Sequence, residues 1–140
     1  MGKINLGRVI LGGIAAGIVS DVLAYLVDGM LLAHRWADGM ARLGHLDFSQ
    51  NMWIWFDLLG IIGGIVLVWI YAAIRPRLGA GVKTAVYAGV VVWILGTLLP
   101  NVSFMCVAGL FSRHLALYTT AGGLVEIVAG AIVGAALYKE

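Results

Sequence analysis

Charged residues are scarce in this chain of 140 residues. Asp, Glu, Lys and Arg together make up 11% of the sequence, whereas 62% of the residues are hydrophobic. A soluble domain of ordinary composition has about a quarter of its residues charged. The mean hydropathy of +1.02 likewise indicates an apolar chain. The shortage of charge therefore excludes an ordinary soluble domain and predicts a chain that lies largely inside a membrane.

Cysteine and proline are also nearly absent. The single cysteine, Cys106, leaves no partner for an intrachain disulfide and no pair for a cysteine-based metal motif. Only two prolines occur, and no Ser- or Gln-rich run indicates disorder. The net charge is +2 and the basic residues are spread along the chain, so no nucleic acid partner is expected. No phosphate-binding loop, haem-attachment motif or nucleophile–base pair is present, and no cofactor is predicted.

Four apolar segments are long enough to cross the hydrocarbon core, which needs about 20 residues. We predict spans at about residues 8–32, 53–74, 84–111 and 117–137, within a single domain that covers residues 1–140. The segments lack the alternation of a membrane barrel, so the predicted fold is an all-α bundle of four transmembrane helices. Similar loop patterns suggest two hairpins of the same orientation, as in a parallel duplication.

Residues 33–43, between the first two spans, have an amphipathic pattern. Apolar side chains recur at helical spacing, and Arg35, Asp38 and Arg42 lie opposite them. This pattern predicts a short helix lying in the membrane interface, and Gly44 is suited to end it. A solvated loop is the alternative.

Lysine and arginine are distributed unequally between the two ends of the predicted bundle. Six lie at the end that carries both termini and three at the other end. The positive-inside rule therefore predicts cytoplasmic termini. The six are Lys3, Arg8, Arg75, Arg77, Lys83 and Lys139, and the three are Arg35, Arg42 and Arg113.

Four acids fall within the predicted spans: Asp21, Asp28, Asp57 and Glu126. A charge at the centre of a membrane helix costs about 2.5–3.5 kcal/mol, so these side chains are expected to face protein rather than lipid. A rise of about 1.5 Å per residue places Asp21 level with Glu126 near the midplane, and Asp28 level with Asp57 about 10 Å further out. Asp21 and Asp28 are seven residues apart and are expected to share one helix face.

Two interpretations of these acids stay open. No basic side chain lies at their depth, so the acids are expected to be neutral, and hydrogen bonds to one another or to Thr97 could hold the helices together. Alternatively, the acids line a proton or cation path together with Thr97 and Asn101. Pro100 leaves the Gly96 carbonyl without its helical hydrogen bond, which indicates either a simple kink or a broken helix at a binding site. Asp57 is also suited to a helix N-terminus.

The acids belong to stripes of small residues at helical spacing. Such stripes let membrane helices approach one another closely. The predicted packing residues are Gly13, Gly17, Gly60, Gly64, Gly122, Gly130 and Gly134.

All three histidines lie on the predicted outer side of the membrane. Asp38 follows His34 by four residues, which places both on one helix face. A metal site formed by His34, Asp38, His45 and His114 is therefore one hypothesis. No dense motif such as HExxH is present, and interfacial histidines that bind nothing are the alternative.

Three segments resemble small bacterial four-helix membrane proteins of unassigned function. They are the acid-bearing first span, AHRWADGMARLG at residues 33–44 and WILGTLLPN at residues 93–101. The resemblance implies a four-helix fold and a bacterial inner membrane, and it implies no activity.

The small-residue stripes favour a non-enzymatic membrane subunit in the lipid bilayer, which associates with itself or with other membrane subunits. The alternative is a small oligomeric transporter or channel that moves protons or cations by means of the intramembrane acids. A membrane enzyme that uses the outer histidines is a third hypothesis.

Overall fold

The computed structural model describes residues 4–44, 50–107 and 111–139. These residues form helices and turns without any strand, which confirms the all-α prediction for the described part of the chain. Within this described part of the chain, four helical stretches are long and apolar enough to cross a membrane: Leu6–Leu31, Trp53–Leu78, Val82–Cys106 and Arg113–Leu137. The chain therefore has the architecture of an integral membrane protein.

The first span consists of two kinds of helix. Helix α1 is Leu6–Ala24, and a π-helical segment, Tyr25–Leu31, continues it. The Asn5 side chain accepts the Arg8 N–H at 3.2 Å and caps the start of α1. After the π segment the Leu32 N–H donates to the Val27 carbonyl, five residues back, at 2.8 Å. Such a turn contains more residues than an α turn and so changes the direction in which Asp28 projects.

Helix α2, Ala33–Arg42, lies between the first two spans. It ends one residue earlier than predicted, and Gly44 follows with a φ of 78°. The Gly44 N–H donates to the Ala41 carbonyl at 3.1 Å. Glycine adopts this left-handed conformation without the penalty that a Cβ would bring, so Gly44 ends the helix as the sequence predicts.

Helix α3, Gln50–Leu78, continues past the predicted end of the second span near residue 74. Pro76 lies in its last turn, where the loss of one N–H removes only a bond near the helix end. Gly79 ends the helix instead, with a φ of 86° and an N–H that donates to the Arg75 carbonyl at 2.9 Å.

The third span contains a second π segment, Ile94–Leu98, between helices α4, Val82–Trp93, and α5, Leu99–Cys106. The Leu99 N–H donates to the Ile94 carbonyl, five residues back, immediately before Pro100. The chain stays helical through the proline, and the π-type bond of Leu99 is one of the local adjustments by which membrane helices accommodate proline. The geometry is that of a continuous helix with a local widening, not of a broken helix.

Helix α6, Arg113–Leu137, is capped by the Ser112 side chain, which accepts the Leu115 N–H at 3.1 Å. Helix α1 packs on both α3 and α6, and α4 packs mainly on α6 and less on α3. The predicted duplication of two hairpins stays a prediction.

The main cluster of buried hydrophobic residues lies at the end of the bundle where the start of α1 meets the end of α6. The Asn5 N–H donates to the Tyr138 hydroxyl at 3.4 Å, which joins the start of α1 to the end of α6. The buried cluster around it contains Val68, Tyr71 and Ala85. Towards the opposite end, every residue of α3 from Trp53 to Leu59 is exposed. The outer part of α3 is therefore open to its surroundings, whereas the start of α6 at the same end is packed, with Leu115 only 1% exposed.

Candidate functional site

The contact between α1 and α3 is a contact of glycine backbones. A Cβ placed on Gly17 would lie 2.9 Å from the Gly60 carbonyl oxygen, and one on Gly64 would lie 2.5 Å from the Gly17 nitrogen. A Cβ on Gly13 would lie 2.8 Å from the Ile65 nitrogen. No side chain larger than hydrogen fits at Gly13, Gly17 or Gly64 without moving a helix, so these three glycines fix how closely α1 and α3 approach.

A second small-residue stripe on α1 faces α6. A Cβ on Gly12 would lie 2.7 Å from the Gly134 carbonyl oxygen, and one on Gly130 would lie 2.8 Å from the Ala16 carbonyl oxygen. The Ser20 hydroxyl donates to the main-chain carbonyl of Glu126 at 3.1 Å. The α1 side of this stripe was not predicted, although Gly12, Ala16 and Ser20 follow one another at intervals of four residues, which places them on one helix face.

These contacts set the register of the acids. Gly13 lies against Ile65 and Gly17 against Ile61, so each four-residue step along α1 matches four residues back along α3. One further step places Asp21 opposite Asp57, and the two lie within electrostatic range. The same reasoning on α6 places Ser20 opposite Glu126. This register keeps Asp21 one residue from the level of Glu126, as the depth count predicts. It places Asp57 level with Asp21 rather than with Asp28, because the glycines that meet set the register rather than the midpoints of the spans.

The Asp21 carboxylate lies in a notch above Gly60. A Cβ on Gly60 would overlap the Asp21 carboxylate, and its nearest neighbours would all be Asp21 side-chain atoms. Asp21 is only partly buried there, and Asp57 is exposed. We call the surface of α1 and α3 that carries these two residues the acid face.

Asp28 has different neighbours from Asp21. The Trp36 Nε1–H donates to Asp28 Oδ1 at 3.0 Å, so α2 is tied to the first π segment. Asp28 also lies within electrostatic range of Glu126. The π segment accounts for the difference from the shared face that a seven-residue spacing predicts, because it begins between the two acids.

Glu126 is the most buried of the four acids, with 8% of its surface exposed. Its Oε1 accepts no hydrogen bond from any described residue. A Cβ on Gly122 would lie 3.2 Å from this oxygen and 2.7 Å from Val27 Cγ1, so the carboxyl is enclosed between α6 and the first span. Thr97 lies against Gly123, where a Cβ would be 2.9 Å from its methyl carbon.

Asn101 joins the third span to α6. Its Nδ2 donates to the Thr119 hydroxyl at 3.1 Å and to the Thr120 hydroxyl at 2.8 Å. Both hydroxyls donate in turn to main-chain carbonyls of α6, and Trp93 Nε1–H donates to the Thr120 carbonyl at 2.9 Å. Asn101 thus acts in helix–helix contact, and the two threonines are partners that the sequence analysis did not identify.

Three of the four predicted metal ligands lie among the described residues. His34, Asp38 and His114 do not form a group of three potential ligands among residues 4–44, 50–107 and 111–139. His45 lies outside the described residues. All three described candidates are exposed. A metal site that includes His45 stays a prediction.

Comparison with known proteins adds no family to these observations. No protein-family model matches this chain, and no curated protein or solved structure matches it. Function is therefore inferred from the acid face, the enclosed Glu126 and the packing around them.

Proposed function

We propose that this chain is a non-enzymatic membrane subunit that associates through its acid face, either with copies of itself or with other membrane proteins. The observation that carries the proposal is the exposure of Asp57 beside the partly buried Asp21 on helices that are long and apolar enough to span a bilayer. Lipid tails offer no hydrogen bonds to these carboxyls, whereas a second protein surface does.

The outer part of α3 supports the same proposal. Every residue from Trp53 to Leu59 is exposed, and this stretch lies beside the acid face. An apolar helix face alone is suited to lipid, because lipid tails are as apolar as leucine side chains. The two acids distinguish the acid face from a lipid-facing surface, since polar side chains within membrane helices face protein or water in almost all known cases.

The placement of the bundle in the membrane completes the proposal. The six basic residues at the end with both termini favour a cytoplasmic location for that end, in a bacterial inner membrane. Helix α2 then lies at the outer interface, with its polar face towards water. The Trp36–Asp28 hydrogen bond and the contact of Arg35 with the Tyr118 ring, 4.9 Å from the centroid, hold α2 against the bundle.

Replacement of Asp57 by leucine is expected to weaken association about threefold to twentyfold, since a polar contact between membrane helices contributes about 0.6–1.7 kcal/mol. The dissociation constant is measured by energy transfer between labelled chains in liposomes, with the co-purifying partner added if one is found. Asp38→Leu is the matched control, because Asp38 is an exposed aspartate on α2, away from the acid face. A wild-type chain that stays monomeric and purifies without a partner contradicts the proposal.

The alternative is proton or cation movement, and the enclosed Glu126 is the observation that favours it. Its Oε1 accepts no hydrogen bond from the described residues, and Asp28 is its electrostatic neighbour. The subunit proposal expects proteoliposomes of the wild-type chain to pass protons no faster than empty liposomes. A proton flux that Glu126→Gln abolishes while association persists would favour the transport function instead.

A further inference from the structure

A cavity of about 230 Å³ opens at the end of the bundle that carries the termini. It lies between the end of α3, the start of α4 and the end of α6. Arg75 lines it together with two tyrosines, Tyr71 and Tyr138, and with small apolar side chains that include Ala135 and Ala136. A recess that combines a strong cation and polar groups with apolar side chains is suited to an anionic group attached to a hydrocarbon chain.

Arg75 is positioned by aromatic packing. Its guanidinium carbon lies 5.5 Å from the centroid of the Tyr138 ring, which in turn meets the Tyr71 ring edge-on at 6.0 Å. The guanidinium presents five N–H donors in a planar fork, so it can hold a phosphate alongside its other contacts. Arg75 is partly buried, whereas Arg77, two residues further along α3, is exposed and does not line the cavity.

The tyrosine hydroxyls and the start of α4 add hydrogen-bond donors. The Tyr71 hydroxyl accepts the Gly81 N–H at 3.2 Å, and the Tyr138 hydroxyl accepts the Asn5 N–H at 3.4 Å, so each keeps its own hydrogen for donation. Gly81 precedes α4 without any side-chain cap, and Val82 lines the cavity. The N–H groups of a first helical turn have no partner within the helix and favour an anion.

We propose that this cavity binds the phosphate group of an anionic phospholipid, with Arg75 as the charged contact. The acyl chains follow the apolar surface beside Ile132 and Ala136, which line the same cavity. Exposed Arg77, Lys83 and Lys139 raise the local concentration of anionic lipid at this end of the bundle without forming the site. The inference is independent of the acid face, which lies on other surfaces of α1 and α3.

The test compares lipids and variants on the intact chain in a neutral detergent, with bound lipid counted by native mass spectrometry. Phosphatidylglycerol is expected to bind more tightly than phosphatidylcholine. Arg75→Gln should weaken phosphatidylglycerol binding about fivefold to tenfold, and Arg77→Gln is the matched control with less than about a twofold effect. Ala136→Leu fills the cavity without changing any charge, so it should weaken binding even if Arg75→Gln does not fold.

Two results would overturn the proposal. Equal effects of Arg75→Gln and Arg77→Gln, or no effect of Ala136→Leu, would mean that surface charge rather than the cavity attracts the lipid. Inorganic phosphate serves as the second probe. If it displaces phosphatidylglycerol at equal concentration, the ligand is a soluble phosphate and the assignment to a lipid is wrong.

Discussion

Replacement of Gly64 by alanine is expected to lower the free energy of unfolding by about 2–3 kcal/mol. A Cβ on Gly64 would lie 2.5 Å from the Gly17 nitrogen and 2.9 Å from the Gly17 Cα, and both are backbone atoms of α1. Backbone cannot rotate out of the way as a side chain can, so α1 and α3 must separate. Their separation would also loosen the contacts that α1 makes with α6 on its other side.

The adjacent Gly63 provides a matched control in the same helix. A Cβ on Gly63 would meet nothing within 4 Å. Gly63→Ala is therefore expected to raise the free energy of unfolding by about 0.4–1 kcal/mol, because alanine lowers the conformational entropy of the unfolded chain. Unfolding is followed by circular dichroism and tryptophan fluorescence while sodium dodecyl sulphate is titrated into mixed micelles. Equal stability of the two variants would mean that α1 and α3 do not meet at Gly64.

The sequence predicts the helices well because hydropathy and length decide whether a segment can cross a membrane. Gly44 is a similar case, since a left-handed residue after a helix is commonly glycine. The end of α3 is less predictable, because Arg75-Pro76-Arg77 suggests a stop, yet a proline in a last turn removes only one bond. The helix ends instead at Gly79, where the φ of 86° favours glycine.

The environment of the acids is harder to predict, for two physical reasons. The register of antiparallel helices depends on which backbones meet, and this places Asp57 level with Asp21 although a count of depth pairs it with Asp28. The π segments change side-chain direction without a clear signal in the residues from Tyr25 to Leu31. The second π segment has a clearer cause in Pro100, but its extent depends on local packing.

The notch between Asp21 and Gly60 predicts an energetic coupling of about 2 kcal/mol in a double-mutant cycle. Gly60→Ala alone should destabilise the bundle, because the new Cβ overlaps the Asp21 carboxylate and forces it out of the notch. In the Asp21→Ala background the same change should be close to neutral, since the three atoms nearest to that Cβ all belong to the Asp21 side chain. Stability of all four chains is measured by the same detergent titration.

Gly64→Ala in the Asp21→Ala background separates this coupling from general loosening of α1 against α3. Its cost should be unchanged, because the atoms that Gly64 approaches belong to the backbone of Gly13 and Gly17 and not to Asp21. Equal coupling in both cycles would mean that Asp21 does not lie in the notch. A coupling confined to Gly60 would show that α3 holds the Asp21 carboxyl beside Asp57. That position determines whether a partner protein can reach both acids at once, so the cycle also tests the geometry on which the proposed association depends.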